Sequence, residues 1–384
     1  MMRLWAGPAA ALALLALFFG NAVHAELPVE HVTILKMPPD QGHRLYVLDY
    51  SLAHGVDGKV RVLNGDTLGL LGQLSNGFFG DFLVAADGGT LYNATTFFSR
   101  GDHGIHTEVL EYYDPKTLLP VGEVELPPKR AQSNGISALM AESAFGTYIY
   151  VQNATPATSV TVVDVKAKRV LADIPTAGCY GVYPAPGVAG RFSTLCGDGA
   201  AVTIGFDAQG HETSRKRSAV LFDPDGDALF LPSVRAGAKT VFMSFLGSVH
   251  SVDFSGDVAT QEAPWSVLTG TPDSAGWRPG GVQMIAYSEG TGMLYVAMHP
   301  NGREGSHKDG AKEIWKIDFA RHAVVARGKS SGAVCLQVSA GPKPVLFTQN
   351  ADTGSVGRYD GDTLAKLGET QAHLLEGGGP ISVQ

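Results

Sequence analysis

The chain has 384 residues, 48 of them Gly, with only 17 % charged residues and a mean hydropathy of +0.05. That composition is poor in charge and rich in turns, and it suits many short buried strands better than helices. A net charge of −8, from 29 Lys and Arg against 37 Asp and Glu, leaves little to neutralise phosphates and speaks against a nucleic-acid partner.

The first residues read as an export signal. Arg3 supplies a positive start, an apolar run follows from Ala9 to Phe19, and Asn21-Ala22-Val23-His24-Ala25 places small residues before a cleavage point after Ala25. This is the three-part pattern of a secretory leader, and its apolar run is too short for a bilayer core of about 30 Å. The expectation is a signal peptide over 1–25, removed on export, and a single domain over 26–384 in the periplasm. No later stretch has the apolar length of a membrane span, so no membrane association is expected.

From residue 44 a similar sentence recurs. An alternating apolar strand opens it, a polar or Gly-rich turn follows, then come a second strand ending in Asp or Asn, a turn, and a third strand. The copies begin at RLYVLDY (44–50), GTLYNATTF (89–97), GTYIYVQNA (146–154), GRFSTLCGDG (190–199), KTVFMSFLG (239–247), GMLYVAMHP (292–300) and PVLFTQNAD (344–352). The marker residues Tyr46, Tyr92, Tyr148, Phe192, Phe242, Tyr295 and Phe347 are separated by 46, 56, 44, 50, 53 and 52 residues. A period of about 40–50 residues with several strands per unit predicts a β-propeller, because one small twisted sheet cannot bury both faces alone. About seven units fit, so the expected fold is an all-β, seven-bladed β-propeller. Asp114, Asp164, Asp207, Asp253, Asp318 and Asp360 fall where a strand enters a tight turn, where an Asp side chain bonds the backbone two residues on. They are assigned to turn chemistry, not catalysis. The polar, Gly-rich stretch HPNGREGSHKDGA at 299–311 reads as a loop leaving the body, an arm for contacts.

Three Cys occur, at 179, 196 and 335. In an oxidising compartment a disulfide persists, and the closeness of Cys179 and Cys196 predicts that they pair, with Cys335 a buried free thiol. Three reduced, buried thiols are the alternative. No Cys-x-x-Cys or His-Glu-x-x-His pattern suggests a metal site, and no nucleophile elbow or dinucleotide fingerprint appears. No catalytic residue is assigned to this chain.

Three stretches carry a family resemblance: SRGDHGIHTEVLEYYDPKTLLPVGEVELP (99–127), CYGVYPAPGVAGRFSTLCGDG (179–199) and WRPGGVQMIAYSEGTGMLYVAMHPNGREGSHKDGAKEIWKID (277–318). In this order they resemble the heavy subunit of quinoprotein amine dehydrogenases, the methylamine and aromatic amine dehydrogenases. The resemblance implies a seven-bladed propeller in a heterotetramer of two heavy and two light subunits. It places the cofactor, tryptophan tryptophylquinone, on the light subunit and none on this chain. The implied reaction oxidises a primary amine to an aldehyde and ammonia and passes electrons to an amicyanin-like or azurin-like copper protein. The Trp residues here fit that division: Trp5 leaves with the leader, and Trp265, Trp277 and Trp315 read as core or turn anchors.

The resemblance also implies one site residue. In SNGFFGDFLVAADGG (75–89), Phe79 matches the family's aromatic that guards the substrate channel, and Phe78 takes that place if the register slips by one. The alternative is that either ring is packing between blades. The sequence departs from the family at Gly80-Asp81-Phe82 and at Asp102-His103-Gly104-Ile105-His106. Two other classes stay open: a periplasmic propeller that binds a protein partner without belonging to an enzyme, and a propeller hydrolase. The second would need convergent metal-binding carboxylates and His, with only Asp102, His103, Glu108 and Glu111 as scattered candidates.

Overall fold

Runs of β-branched residues, as in SVTVVD at 159–164, suit a pleated strand buried on both faces. In the computed structural model, which describes residues 33–39, 42–50, 52–133 and 135–384 (for 52–54 the backbone only), such segments form antiparallel strands throughout. The expected leader over 1–25 and its cleavage point lie outside the described residues. Among those described, the only helical turns are short 3-10 segments, and no helix is long and apolar enough to cross a membrane.

The sheets follow one another along the chain. Arg44–Asp49 pairs with Gly58–Asn64, which pairs with the first half of Leu70–Val84. That long strand then changes partner: its residues from Phe78 onward pair with Leu91–Phe98, which continues into His106–Tyr113 and Pro120–Leu126. Four-stranded sheets follow over Met140–Glu142 to Arg169–Pro175 and over Cys179–Pro184 to Glu212–Val220. A five-stranded sheet then opens with Leu229–Ala236 and Lys239–Ser244. Ala323–Val338 repeats the device of the long strand, pairing first with Ala311–Asp318 and then with Val345–Asn350. Finally Ile381–Val383 returns to pair with Arg44–Asp49, so the last strand completes the first sheet. An all-β chain of successive antiparallel sheets, with its first sheet closed by its end, is consistent with a β-propeller.

The seven marker aromatics each lie on the strand that opens a repeat, and all are buried. They pack between consecutive sheets: Tyr148 and Tyr150 share one core with Phe192, Ile204 and Phe206 of the next sheet. The repeat as read in the sequence lacks a fourth strand, such as Met140–Glu142 or Cys179–Pro184, which pairs with the marker strand on its other side; for Arg44–Asp49 it is Ile381–Val383. All six turn aspartates accept backbone N–H bonds: Asp114 from Lys116, Asp164 from Ala167, Asp207 from Gln209 and His211, Asp253 from Ser255, Asp318 from Arg321 and Asp360 from Asp362 and Thr363. These donors hold the Asp114, Asp207 and Asp360 carboxyls below the ordinary carboxylate range. The 299–311 loop is tied down, not a free arm. Ser306 is buried within it, and Gly281 N–H bonds the His307 carbonyl at 2.9 Å.

Trp315 is fully buried, donates to Glu313 at 2.8 Å, and lies 5.5 Å from Trp277, with the Arg327 guanidinium over both rings. Trp265 stacks on His322. Cys179 and Cys196 face each other in register and are disulfide-bonded. Cys335 is free and buried, and its thiol, pushed up to about 12 by burial, donates to the Gly379 carbonyl at 3.1 Å.

Candidate functional site at the Phe78–Phe79 corner

A dense polar cluster surrounds the point where Leu70–Val84 changes partner. Gly77 and Phe79 have φ of 58° and 42°, and the register shifts between Phe78 and Asp81. Gly takes the left-handed region freely, but a bulky aromatic there is unusual and is held by its surroundings. The bulge re-aims side chains that a regular strand would alternate. Both rings are half-buried. They meet edge to face at 4.7 Å; Phe79 reaches Tyr50 at 5.9 Å, and Phe78 reaches Phe98 at 5.4 Å.

Arg130 lies beneath this corner with its side chain wholly buried. Its Nη1 donates to the Phe79 carbonyl at 2.7 Å, to Asp81 Oδ2 at 3.1 Å and to the Ala131 carbonyl at 3.2 Å. Its Nη2 donates to the Phe78 carbonyl at 2.9 Å and to Thr96 Oγ1 at 3.1 Å. Burial pushes the Asp81 carboxyl up to about 7, against the opposing pull of the Arg130 guanidinium. Glu108 Oε2 accepts the backbone N–H groups of Lys129 and Arg130 at 3.1 and 2.7 Å. Beside it, Asn76 donates to Asn93, and Asn93 and Tyr113 both donate to Glu111.

Phe78 and Phe79 therefore come together with Asp81 and Arg130, whereas Cys179 and Cys196 serve another sheet. The scattered candidates of the hydrolase alternative do not converge. Asp102 and His103 are an exposed pair on a loop, Glu108 holds backbone, and Glu111 closes the Asn93–Tyr113 network. Among the described residues no group of three or more His, Cys, Asp and Glu is arranged to hold a metal ion. A cavity of about 920 Å³ lies elsewhere, lined by Met140, Glu142, Phe145, Tyr183 and Arg235 among others, and neither Phe78 nor Phe79 lines it. Sequence reasoning missed Arg130. It sits in a Pro-Pro-Lys-Arg linker that carries no pattern signal, and only the fold brings it under residues about fifty positions earlier.

A built corner that fixes aromatic rings, with Asp81 paired to Arg130 and Glu108 and Glu111 committed to backbone, amide and hydroxyl partners, defines an all-β scaffold chain with a shaped surface. The chain belongs to the methylamine dehydrogenase heavy chain family, whose model matches residues 41–374. It is 28 % identical to the methylamine dehydrogenase heavy chain of Paracoccus versutus over 340 residues, covering 87 % of this chain and 78 % of that one. It is 24 % identical to the heavy chain from Methylobacillus flagellatus over 354 residues, covering 88 % and 87 %. Among solved structures, a putative 6-phosphogluconolactonase from Bacteroides fragilis shares the fold, with a TM-score of 0.59 at 12 % identity over 92 % of this chain and 99 % of that chain. Family membership makes the chain a subunit of an amine dehydrogenase and implies a light-subunit partner.

Proposed function

We propose that this chain is the seven-bladed propeller subunit of a periplasmic, tryptophan tryptophylquinone-dependent amine dehydrogenase. It would assemble as two heavy and two light subunits and deliver electrons to an amicyanin-like or azurin-like copper protein. The observation that carries this reading is the collinear family match over 41–374. The seven buried marker aromatics, one on each strand that opens a repeat, support a count of seven blades. The Cys179–Cys196 bond suits an oxidising compartment.

The quinone would supply the two-electron oxidation of the amine from the partner subunit. The residues here do not fit a quinone of their own: Trp315 is fully buried and bonded to Glu313, and Arg327 covers both it and Trp277. The part left to this chain is shape. Phe79, with Phe78 beside it, would wall the substrate channel and admit amines by size while making no bond that changes in the chemical step. A group of that kind alters binding and specificity more than the barrier.

The test is reconstitution. The purified chain alone should show neither amine oxidation nor quinone absorbance, and both should appear on co-expression with a light subunit. Turnover of a primary amine by the heavy chain alone would refute the division of roles.

A further inference from the structure

We propose that Arg130 is a positioning residue for the channel aromatic: its buried guanidinium, neutralised by Asp81, bridges the Phe78 and Phe79 carbonyls and holds the corner in the turn that aims the Phe79 ring. The proposal rests on the reading that Phe79 walls the substrate channel.

The geometry carries it in three steps. First, the corner needs holding. A left-handed φ of 42° at Phe79 is unfavourable for a bulky L-residue, and the register shift between Phe78 and Asp81 leaves Phe79 without a partner across the ladder. Second, Arg130 supplies what the ladder does not. One nitrogen reaches the Phe79 carbonyl at 2.7 Å and the other the Phe78 carbonyl at 2.9 Å, with Asp81 at 3.1 Å balancing the charge. A planar fork spans two adjacent carbonyls, and an ammonium on a flexible stem does not. Third, Arg130 is itself fixed. Its N–H bonds Glu108 at 2.7 Å, its neighbour Ala131 bonds the Gln152 carbonyl at 2.9 Å, and it bridges to Asn153 of the following sheet. The corner is thus braced by the linker between two sheets. The turn Leu52–Asp57 also approaches the rings, where a Cβ at Gly55 would stand 3.2 Å from Phe79 and 3.3 Å from Phe78.

A buried ion pair seldom gains stability over an apolar replacement of similar volume. Its contribution here is the direction of two carbonyls and, through them, of one ring.

The experiment uses the heavy–light complex with methylamine and benzylamine as small and bulky probes. The variants are F79A, R130K, the double variant F79A/R130K, and D81N/R130Q, which removes both charges together and so leaves neither one buried alone. 4-Fluorophenylalanine placed at position 79 reports the ring by 19F NMR independently of turnover. R130K and D81N/R130Q should shift the ratio of kcat/KM for the two amines on the order of 10-fold, in the same direction as F79A. Both should move or broaden the 19F resonance. F79A/R130K should shift the ratio no further than F79A alone, because Arg130 acts only through that ring.

An unmoved 19F resonance in R130K and D81N/R130Q overturns the proposal, as does an effect of R130K that multiplies with that of F79A. A ratio unmoved by F79A itself removes the channel reading and the proposal with it. The 19F signal distinguishes that failure from a failure of Arg130 to set the ring.

Discussion

The outer edge of the strand that closes the first sheet is held by one amide side chain. Ile381 stands opposite Val47, but the bonds flanking it, Leu48 N–H to the Pro380 carbonyl and Gln384 N–H to the Arg44 carbonyl, leave its own backbone groups facing away from Arg44–Asp49. Gln283, on the segment between Arg278–Pro279 and Ile285–Ser288, satisfies both: Ile381 N–H donates to Gln283 Oε1 at 2.8 Å, and Gln283 Nε2 donates to the Ile381 carbonyl at 3.1 Å. Ile381 is 1 % exposed, so water does not replace a lost partner. Gln283→Leu keeps the volume and orphans two buried groups at about 1–3 kcal/mol each, about 2–6 kcal/mol in all. With an unfolding entropy of about 2.1 cal/mol/K per residue, or ~0.7 kcal/mol/K for roughly 350 residues, the expected fall in Tm is about 3–8 °C. Calorimetry of the purified chain reads the shift, and amide exchange at Ile381 and across Arg44–Asp49 should quicken. A Tm within about 1 °C of the parent, with Ile381 still protected, would refute the claim that Gln283 latches the closing strand.

Three further outcomes are expected. Replacing both Cys179 and Cys196 by Ser opens a loop with a sequence separation of 17 and should cost about 3 kcal/mol in the chain-entropy model, measured by denaturant unfolding; mass mapping of unreduced protein should find these two residues linked. Cys335, buried and pushed up to about 12, has almost no thiolate at neutral pH and should resist alkylation until the chain is unfolded; native labelling at Cys335 would contradict its burial. Gly77→Ala places a Cβ 2.5 Å from Thr95 Oγ1 at a φ of 58° and should lower stability by about 1 kcal/mol or more, visible as an earlier denaturation midpoint.

The sequence by itself determined what is local and repeated. Alternation and spacing marked the strands that open each repeat, because the seven aromatics recur wherever one sheet must bury a face against the next. The turn aspartates were legible for the same reason, since each bonds donors only a few residues away. The pairing of Cys179 with Cys196 followed from nearness along one hairpin. Only the tertiary structure decided what rests on distant chain segments. A strand as short as Met140–Glu142 has too few residues to show a period, and it becomes a strand through its neighbour. The 299–311 loop reads as free until Gly281 is found bonded to His307. Gln283 reaches Ile381 across 98 positions, and Arg130 reaches Phe79 across 51. A buried polar group must find its partner wherever the fold supplies one, and no sequence window holds both ends of such a bond.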